Sequence, residues 1–234
     1  MSKIKLAVLV GGKSAEHEIS LISGSNVIKA VDKEKYEVII IGIDKTGRFF
    51  LISDQSPFFK EKPPATIEYA SEKAIVFPAG ENGKIVGLTD RNIDIKADVI
   101  FPVLHGTFAE DCTVQGLLEL SNVPYVGANV LGSAVGMDKD VMKRLMRDAG
   151  IPSAKFITLR AQEADKLNYE TAKKELGPII FVKPANLGSS VGIHKAKNVE
   201  EFIKSVKDAF LYDNKILLEE YIPGPEIECS VLGN

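Results

Sequence analysis

The chain has 234 residues, 45% of them hydrophobic and 26% charged, with a formal net charge of −3 at pH 7. That length holds one large domain or two ordinary ones, and two are expected. The mild acidity and the lack of any basic run give nucleic acid and acidic membrane surfaces no footing. No apolar run approaches the ~18 residues of a membrane span, and Met1-Ser2-Lys3 followed directly by IKLAVLV lacks signal-peptide features, so a cytoplasmic protein is expected.

KIKLAVLV is a continuous apolar run ending in Gly11-Gly12, the pattern of a buried parallel strand and a tight turn. SAEHEISLISGSNVIKAV predicts a helix with Ser14 as N-cap, Glu16 and Glu18 in the first turns, and Ile19, Ile22, Val27 and Val31 in its apolar stripe. YEVIIIGI and GRFFLI are the next strands, and the polar, proline-containing stretch Ser53 to Ser71 is an excursion. AIVFP and KIVGL flank the Glu81-Asn82-Gly83 turn, and ADVIFPVL, Ala97 to Leu104, returns to the sheet. Helix VQGLLELS and strand PYVGA complete an alternation that predicts an open α/β sheet of parallel type.

The character changes after Gly127. DKDVMKRLMRDAG predicts an amphipathic helix with Val141, Leu145, Met142 and Ala149 inward, stopped by Gly150 and Pro152. AKFITL, a helix over Tyr169 to Leu176, IIFVKP, VGIHKA, a helix over Val199 to Leu211 and ILLEEYI follow, and EIECSVLGN alternates like a half-buried strand. Hairpin-like strands mixed with helices predict a second, smaller α+β domain starting near residue 135. Cys112 and Cys229 are expected to be buried thiols, and neither they nor His17, His105 and His194 have metal-ligand spacing.

Four stretches carry chemistry. VLVGGKSAEHEIS puts paired glycines and helix N–H groups at a strand-to-helix junction, where Glu16 either receives a ligand ammonium or complements the helix dipole. It is neither GxGxxG nor a Walker loop. VLHGTFAEDCTVQG follows another core strand, where open sheets bind ligands; His105 is a ligand contact or a loop hydrogen-bonder, and Glu110 and Asp111 are helix-start residues. FVKPANLGSSVGI offers Gly188, Ser189 and Ser190 as a phosphate cradle beside Lys183, or else a surface hairpin. In ILLEEYIPGPE, Glu219 and Glu220 fall on opposite faces, so one carboxylate either turns inward and needs a ribose, an adenine amino group or a lysine, or ends the strand at a solvated hinge.

Taken in order, VLVGGKSAEHEIS, LHGTFAEDCTVQGLLEL, YVGANVLGSAVGMDK, VKPANLGSSVGI and LLEEYIPGPEIECSVLG resemble the D-alanine–D-alanine ligase family of the ATP-grasp superfamily over almost the whole chain. The family loop reads HGxxGEDGxxQG, and Ala109 and Cys112 replace its two later glycines here. The resemblance implies an α/β substrate-binding domain over 1–134, a central α+β ATP-grasp subdomain over 135–222, and the first strand of a third domain over 223–234. It implies ATP-binding by Lys139, Lys183, Gly188, Ser189, Ser190, Glu219, the backbone of Glu220 and Ile222, and Glu226 on the ribose. Glu16 would position the first D-alanine ammonium, His105 would sit near that substrate, and Ser189 would be linked to Glu16 through a tyrosine.

The implied reaction phosphorylates the carboxylate of one D-alanine with ATP and lets the amine of a second attack the acyl phosphate. It would supply D-alanyl-D-alanine for peptidoglycan, hence for cell wall and cell shape. Phosphoryl transfer needs positioning and charge neutralisation, which suits lysines, loop amides and Mg²⁺. The family places its Mg²⁺ ligands in the remainder of the third domain, so they are expected beyond Asn234, and these 234 residues alone are expected not to turn over. A D-alanine–D-lactate ligase shares nearly all these motifs. A non-catalytic nucleotide- or amino-acid-binding module is the alternative from another class, and a homodimer is one possible assembly.

Overall fold

The computed structural model describes every residue except Met1, Asp54, Gln55, 57–66, Glu68, Ala70, Ser71, Ser189, Leu232 and Asn234. Most of the expected Ser53 to Ser71 excursion therefore lies outside the described residues. The chain divides into two compact units, Met1–Asp138 and Lys139–Asn234.

The first unit is built on a seven-stranded sheet. Its strands are β1 (Ile4–Gly11), β2 (Tyr36–Ile43), β3 (Phe49–Leu51), β4 (Lys73–Val76), β5 (Lys84–Gly87), β6 (Asp94–Lys96) and β7 (Val99–Pro102), in the order β6-β5-β4-β3-β2-β1-β7. β1 runs parallel to both β2 and β7, while β2 through β6 form an antiparallel meander. β1 reads as an unbroken apolar run because both its faces are covered: Leu6, Val8 and Val10 join one core cluster, Ala7 and Leu9 the other. PYVGA contributes only the bridge between Tyr125 and Ile100.

Helix α1 (His17–Ala30) departs from the expected stripe. Ile19 and Ile22 are exposed, and the buried residues are His17, Ser20, Leu21, Gly24, Ser25 and Ile28. Small side chains let the helix approach β1 closely, since a Cβ on Gly24 would lie 2.2 Å from Val10 Cγ1. Glu16, not Ser14, occupies the N-cap position. Helix α2 (Thr113–Leu120) packs Val114 and Leu118 into the second cluster, and α3 (Val130–Met137), unread in the sequence, is capped by the Asn129 side chain.

The second unit opens with α4 (Lys139–Asp148) and contains a four-stranded antiparallel sheet, β10-β9-β11-β8. Its strands are β8 (Phe156–Arg160), β9 (Ile180–Pro184), β10 (His194–Ala196) and β11 (Lys215–Glu220), with helices α5 (Tyr169–Leu176) and α6 (Val199–Ala209). One sheet face buries Leu159, Ile180, Val182, Ile216 and Leu218 with Ala172, Leu176 and Phe202 of the two helices. Each large side chain removed from water there contributes roughly 1.5–3 kcal/mol.

α4 also departs from expectation. Val141, Leu145 and Ala149 are exposed, Met142 is half-buried, and the buried residues are the charged Asp140 and Lys143. The tail Tyr221–Val231 forms no strand and is exposed where described, because a strand needs a hydrogen-bonding neighbour and none pairs with it among the described residues. Cys229 is exposed and Cys112 half-buried, so neither is the buried thiol expected. No helix among the described residues is long and apolar enough to cross a membrane.

Candidate functional site

In the first unit the Gly11-Gly12 turn sits at the carboxyl end of β1 with φ of 91° and 105°. A Cβ on Gly11 would lie 2.4 Å from the Ile43 carbonyl, so only glycine fits. The turn is held by the buried His17, whose Nδ1 lies 2.7 Å from the Gly12 carbonyl, and by the Gly12 N–H, which donates to Ile43 O at 2.8 Å. His17 is thus a structural hydrogen-bonder that sequence spacing did not single out.

Ser14 links the loop after β1 to the loop after β7. Its hydroxyl donates to the His105 carbonyl at 2.6 Å and accepts from the Glu16 N–H at 3.1 Å. The His105 ring lies with Nε2 3.0 Å from Ser23 Oγ on α1. Gly106 has φ of 75°, and a Cβ there would stand 2.5 Å from Glu16 Oε2. Glu16 and His105 are therefore brought together at the carboxyl ends of two adjacent parallel strands, where ligands bind open α/β sheets.

The same loop corrects the reading of Glu110. Its carboxylate accepts from the Gly106 N–H at 2.9 Å rather than opening α2, while Asp111 accepts from the N–H groups of Phe108 and Thr113. Ala109 replaces a family glycine without a positive φ, but Phe108 and Cys112 carry φ of 65° and 82°. Cys112, at the N-cap of α2, thus holds a left-handed conformation that favours glycine. Nearby, Asp44 organises the loop after β2 by accepting from the Thr46 and Arg48 N–H groups, the Thr46 hydroxyl and the Arg48 guanidinium. Burial opposes its ionisation, yet these donors pull the carboxyl down to about 2.

In the second unit the pairing of Leu217 with Lys183 on β9 and with Thr158 on β8 puts those side chains on the face opposite the apolar cluster. Glu219, two residues along β11, shares that face and is 7% exposed. Lys183 Nζ is 2.6 Å from Glu219 Oε2, and Lys143 Nζ is 3.3 Å from Oε1. Oε1 is buried and receives no hydrogen bond among the described residues, so the Lys143 contact is an ion pair without hydrogen-bond alignment. The ammonium of Lys139 donates to the carbonyls of Ala185 and Leu187 in the loop after β9.

Lys139 and Lys183 thus address the two sides of one segment: Lys183 lies at the end of β9 and Lys139 binds the loop that leaves it. Gly188 and Ser190 continue that loop, with Ser190 exposed at φ of 59°, and Ser189 lies outside the described residues. Glu220 is occupied differently, its carboxylate accepting from the Lys155 N–H at 2.7 Å and its own N–H donating to Lys155 O at 3.1 Å. Ile222 and Glu226 are exposed on the tail. Lys143 is the residue that sequence reasoning missed. Its signal was the four-residue step from Lys139, which puts the two lysines on one helix face.

A separate ionic group secures α4. Asp140 accepts from the Thr158 hydroxyl at 2.6 Å and from Arg144 Nε at 2.7 Å, with Lys215 Nζ 3.5 Å away. Burial works against its charge, but Thr158, Arg144 and Lys215 hold the carboxyl below its usual range. Among the described residues no group of three or more His, Cys, Asp or Glu side chains could hold a metal ion.

These features define a two-unit α/β protein, with a carboxylate and a histidine at strand ends in one unit and, in the other, one lysine at the end of β9 and one on the glycine-containing loop that follows it. Models of the D-ala D-ala ligase N-terminus and C-terminus match residues 5–128 and 145–234. A D-alanine–D-alanine ligase of Oceanobacillus iheyensis is 46% identical over 99% of this chain, which spans 64% of that relative's length. The solved D-alanine–D-alanine ligase of Coxiella burnetii superposes with a TM-score of 0.85 at 39% identity, covering 95% of this chain and 65% of its own. The D-alanine–D-alanine ligase of Bacillus anthracis, solved complexed with ATP, gives 0.64 at 27% identity over 94% of this chain and 60% of its own. The chain belongs to the D-alanine–D-alanine ligase family.

Proposed function

We propose that this chain carries the first amino-acid site and most of the nucleotide site of an ATP-dependent, ADP-forming ligase that joins two D-alanines. Lys139 bound to the loop after β9 and Lys183 at the end of that strand are the observation that carries this reading, because two cations flanking a glycine-containing loop suit the triphosphate of ATP. Gly188, Ser189 and Ser190 cover the phosphates, and Glu219 with the backbone of Glu220 and Ile222 receives adenine. Glu226 takes the ribose.

Glu16 takes the ammonium of the first D-alanine, and His105 stands beside that substrate. The γ-phosphoryl passes to the carboxylate of this D-alanine, releasing ADP. The amine of the second D-alanine then displaces phosphate from the acyl phosphate, forming the peptide bond and losing a proton. Magnesium belongs to this ATP chemistry and would neutralise charge on the phosphates; no group of three or more His, Cys, Asp or Glu among the described residues forms a ligand set for it. The product feeds peptidoglycan synthesis from the cytoplasm, where ATP is available. A homodimer is the assembly to test alongside.

Equilibrium dialysis of the chain with labelled D-alanine, L-alanine and ATP tests the reading. Binding of ATP and D-alanine, but not L-alanine, is expected, and binding of neither would overturn it. Product analysis with ATP and either D-alanine or D-lactate as second substrate identifies the acceptor wherever turnover is seen.

A further inference from the structure

Two ammonium groups stand against the one Glu219 carboxylate on β11, the buried Lys143 and the half-buried Lys183. Lys183 makes a close contact with Oε2 of Glu219, whereas Lys143 stands off Oε1 at 3.3 Å, over the Phe156 ring at 5.4 Å. Lys143 and Glu219 are both 7% exposed. An excess cation in so dry a place is costly unless an anion completes it. If Lys183 turns from Glu219 to a phosphate, Lys143 is the charged partner that the carboxylate keeps among the described residues.

The two carboxylate oxygens differ. Oε1 is enclosed and has the Lys143 charge beside it, so the oxygen left to accept from a ligand is Oε2, which Lys183 vacates when it turns to a phosphate. Adenine presents a donor at its exocyclic amine; hypoxanthine presents a carbonyl oxygen there and is repelled by a carboxylate. Lys143 neutralises Glu219 from the α4 side, at Oε1, and leaves Oε2 to accept. Phe156 beneath it fixes the ammonium by its ring face.

We propose that Lys143 is a positioning residue of the nucleotide site: it holds the Glu219 carboxylate as an acceptor for the amino group of the base while Lys183 serves the phosphates. This rests on the nucleotide reading above and adds to it the residue through which base selectivity is set. Lys143 touches neither nucleotide nor amino acid in this account; it acts through Glu219.

Titration calorimetry with the β,γ-imido analogues of ATP and of inosine triphosphate tests this. The wild-type chain should prefer the adenine analogue. Lys143→Met should reduce that preference roughly ten-fold, the scale of one hydrogen bond to a charged group. Lys143→Arg should retain it. In a Glu219→Gln background Lys143→Met should change nothing further. That double variant also lacks the isolated buried carboxylate, so it keeps the comparison measurable where Lys143→Met alone does not fold.

An equal loss for both nucleotides, with the preference intact, would reduce Lys143 to a structural role and overturn the proposal. A further change of preference in the Glu219→Gln background would do the same. A wild-type chain that binds neither analogue overturns the nucleotide reading itself. One that binds both equally removes adenine from Glu219, and the role of Lys143 with it.

Discussion

The two candidate sites of this chain are held by opposite means. Around Glu16 and His105 the structure relies on backbone geometry: glycines at positive φ, a serine bridging two loops, and a buried histidine on a carbonyl. Around Glu219 it relies on charge, with lysines from α4 and β9 closing on one carboxylate inside a regular sheet. The first kind of site should fail through small steric changes that leave charge untouched. The second should tolerate changes of shape and fail when a charge is left alone.

The largest expected effect lies in the charged site. Glu219→Ala strands the buried Lys143 ammonium and removes the partner of the half-buried Lys183, and should cost roughly 3–5 kcal/mol. Hydrogen exchange of the β9 and β11 amides would report it, and unchanged protection there would refute the claim that charge holds this site.

Gly106→Ala is the corresponding steric test. Its Cβ would meet Glu16 Oε2 at 2.5 Å on a backbone of φ 75°, a strain of about 1–2 kcal/mol that also displaces the carboxylate. D-alanine affinity should fall while ATP-analogue affinity stays, as dialysis with each would read.

A milder effect concerns pH. Asp44 has its carboxyl held at about 2 against an ordinary 3.8, so the folded state binds this proton more weakly than the unfolded chain. Its contribution, about 1–2 kcal/mol after allowing for the exposed Arg48 partner, is present above pH 3.8 and lost as pH falls through about 2. Asp44→Asn should flatten the acid limb of a stability-against-pH curve over that window.

The smallest effect is a gain. Cys112→Gly relieves a left-handed N-cap at φ of 82° and should stabilise by up to about 1 kcal/mol, the strain relieved less the added chain entropy of glycine. Denaturant midpoints would show it, and a loss of stability would mean the cysteine side chain contributes packing that outweighs the strain.

The same contrast explains what could be read from the sequence. Strands β1 and β2 were legible because two-sided burial makes residues 6–10 and 38–41 continuously apolar, and the β11 alternation showed that Glu219 and Glu220 fall on opposite faces without saying which turns inward. The buried side of α1 was not, since close approach to β1 selects Ser20, Gly24 and Ser25, which no hydrophobic pattern marks. α4 misled for the reverse reason: its apolar Val141 and Leu145 face outward while Asp140 and Lys143 bury charge against Thr158, Lys215 and Glu219. Lys183 was picked out beside the 188–190 stretch and Lys139 through the resemblance, but that one rests on a carboxylate and the other on loop carbonyls is a matter of tertiary geometry.

The division of labour between the two sites is tested most directly by titrating a non-hydrolysable ATP analogue into wild type, Lys183→Ala and Glu16→Gln. Loss of the charge-assisted contact in Lys183→Ala should weaken binding by roughly 1.5–3 kcal/mol, while Glu16→Gln should leave nucleotide affinity at the wild-type value. Equal losses in the two variants, or unchanged affinity in Lys183→Ala, would contradict it.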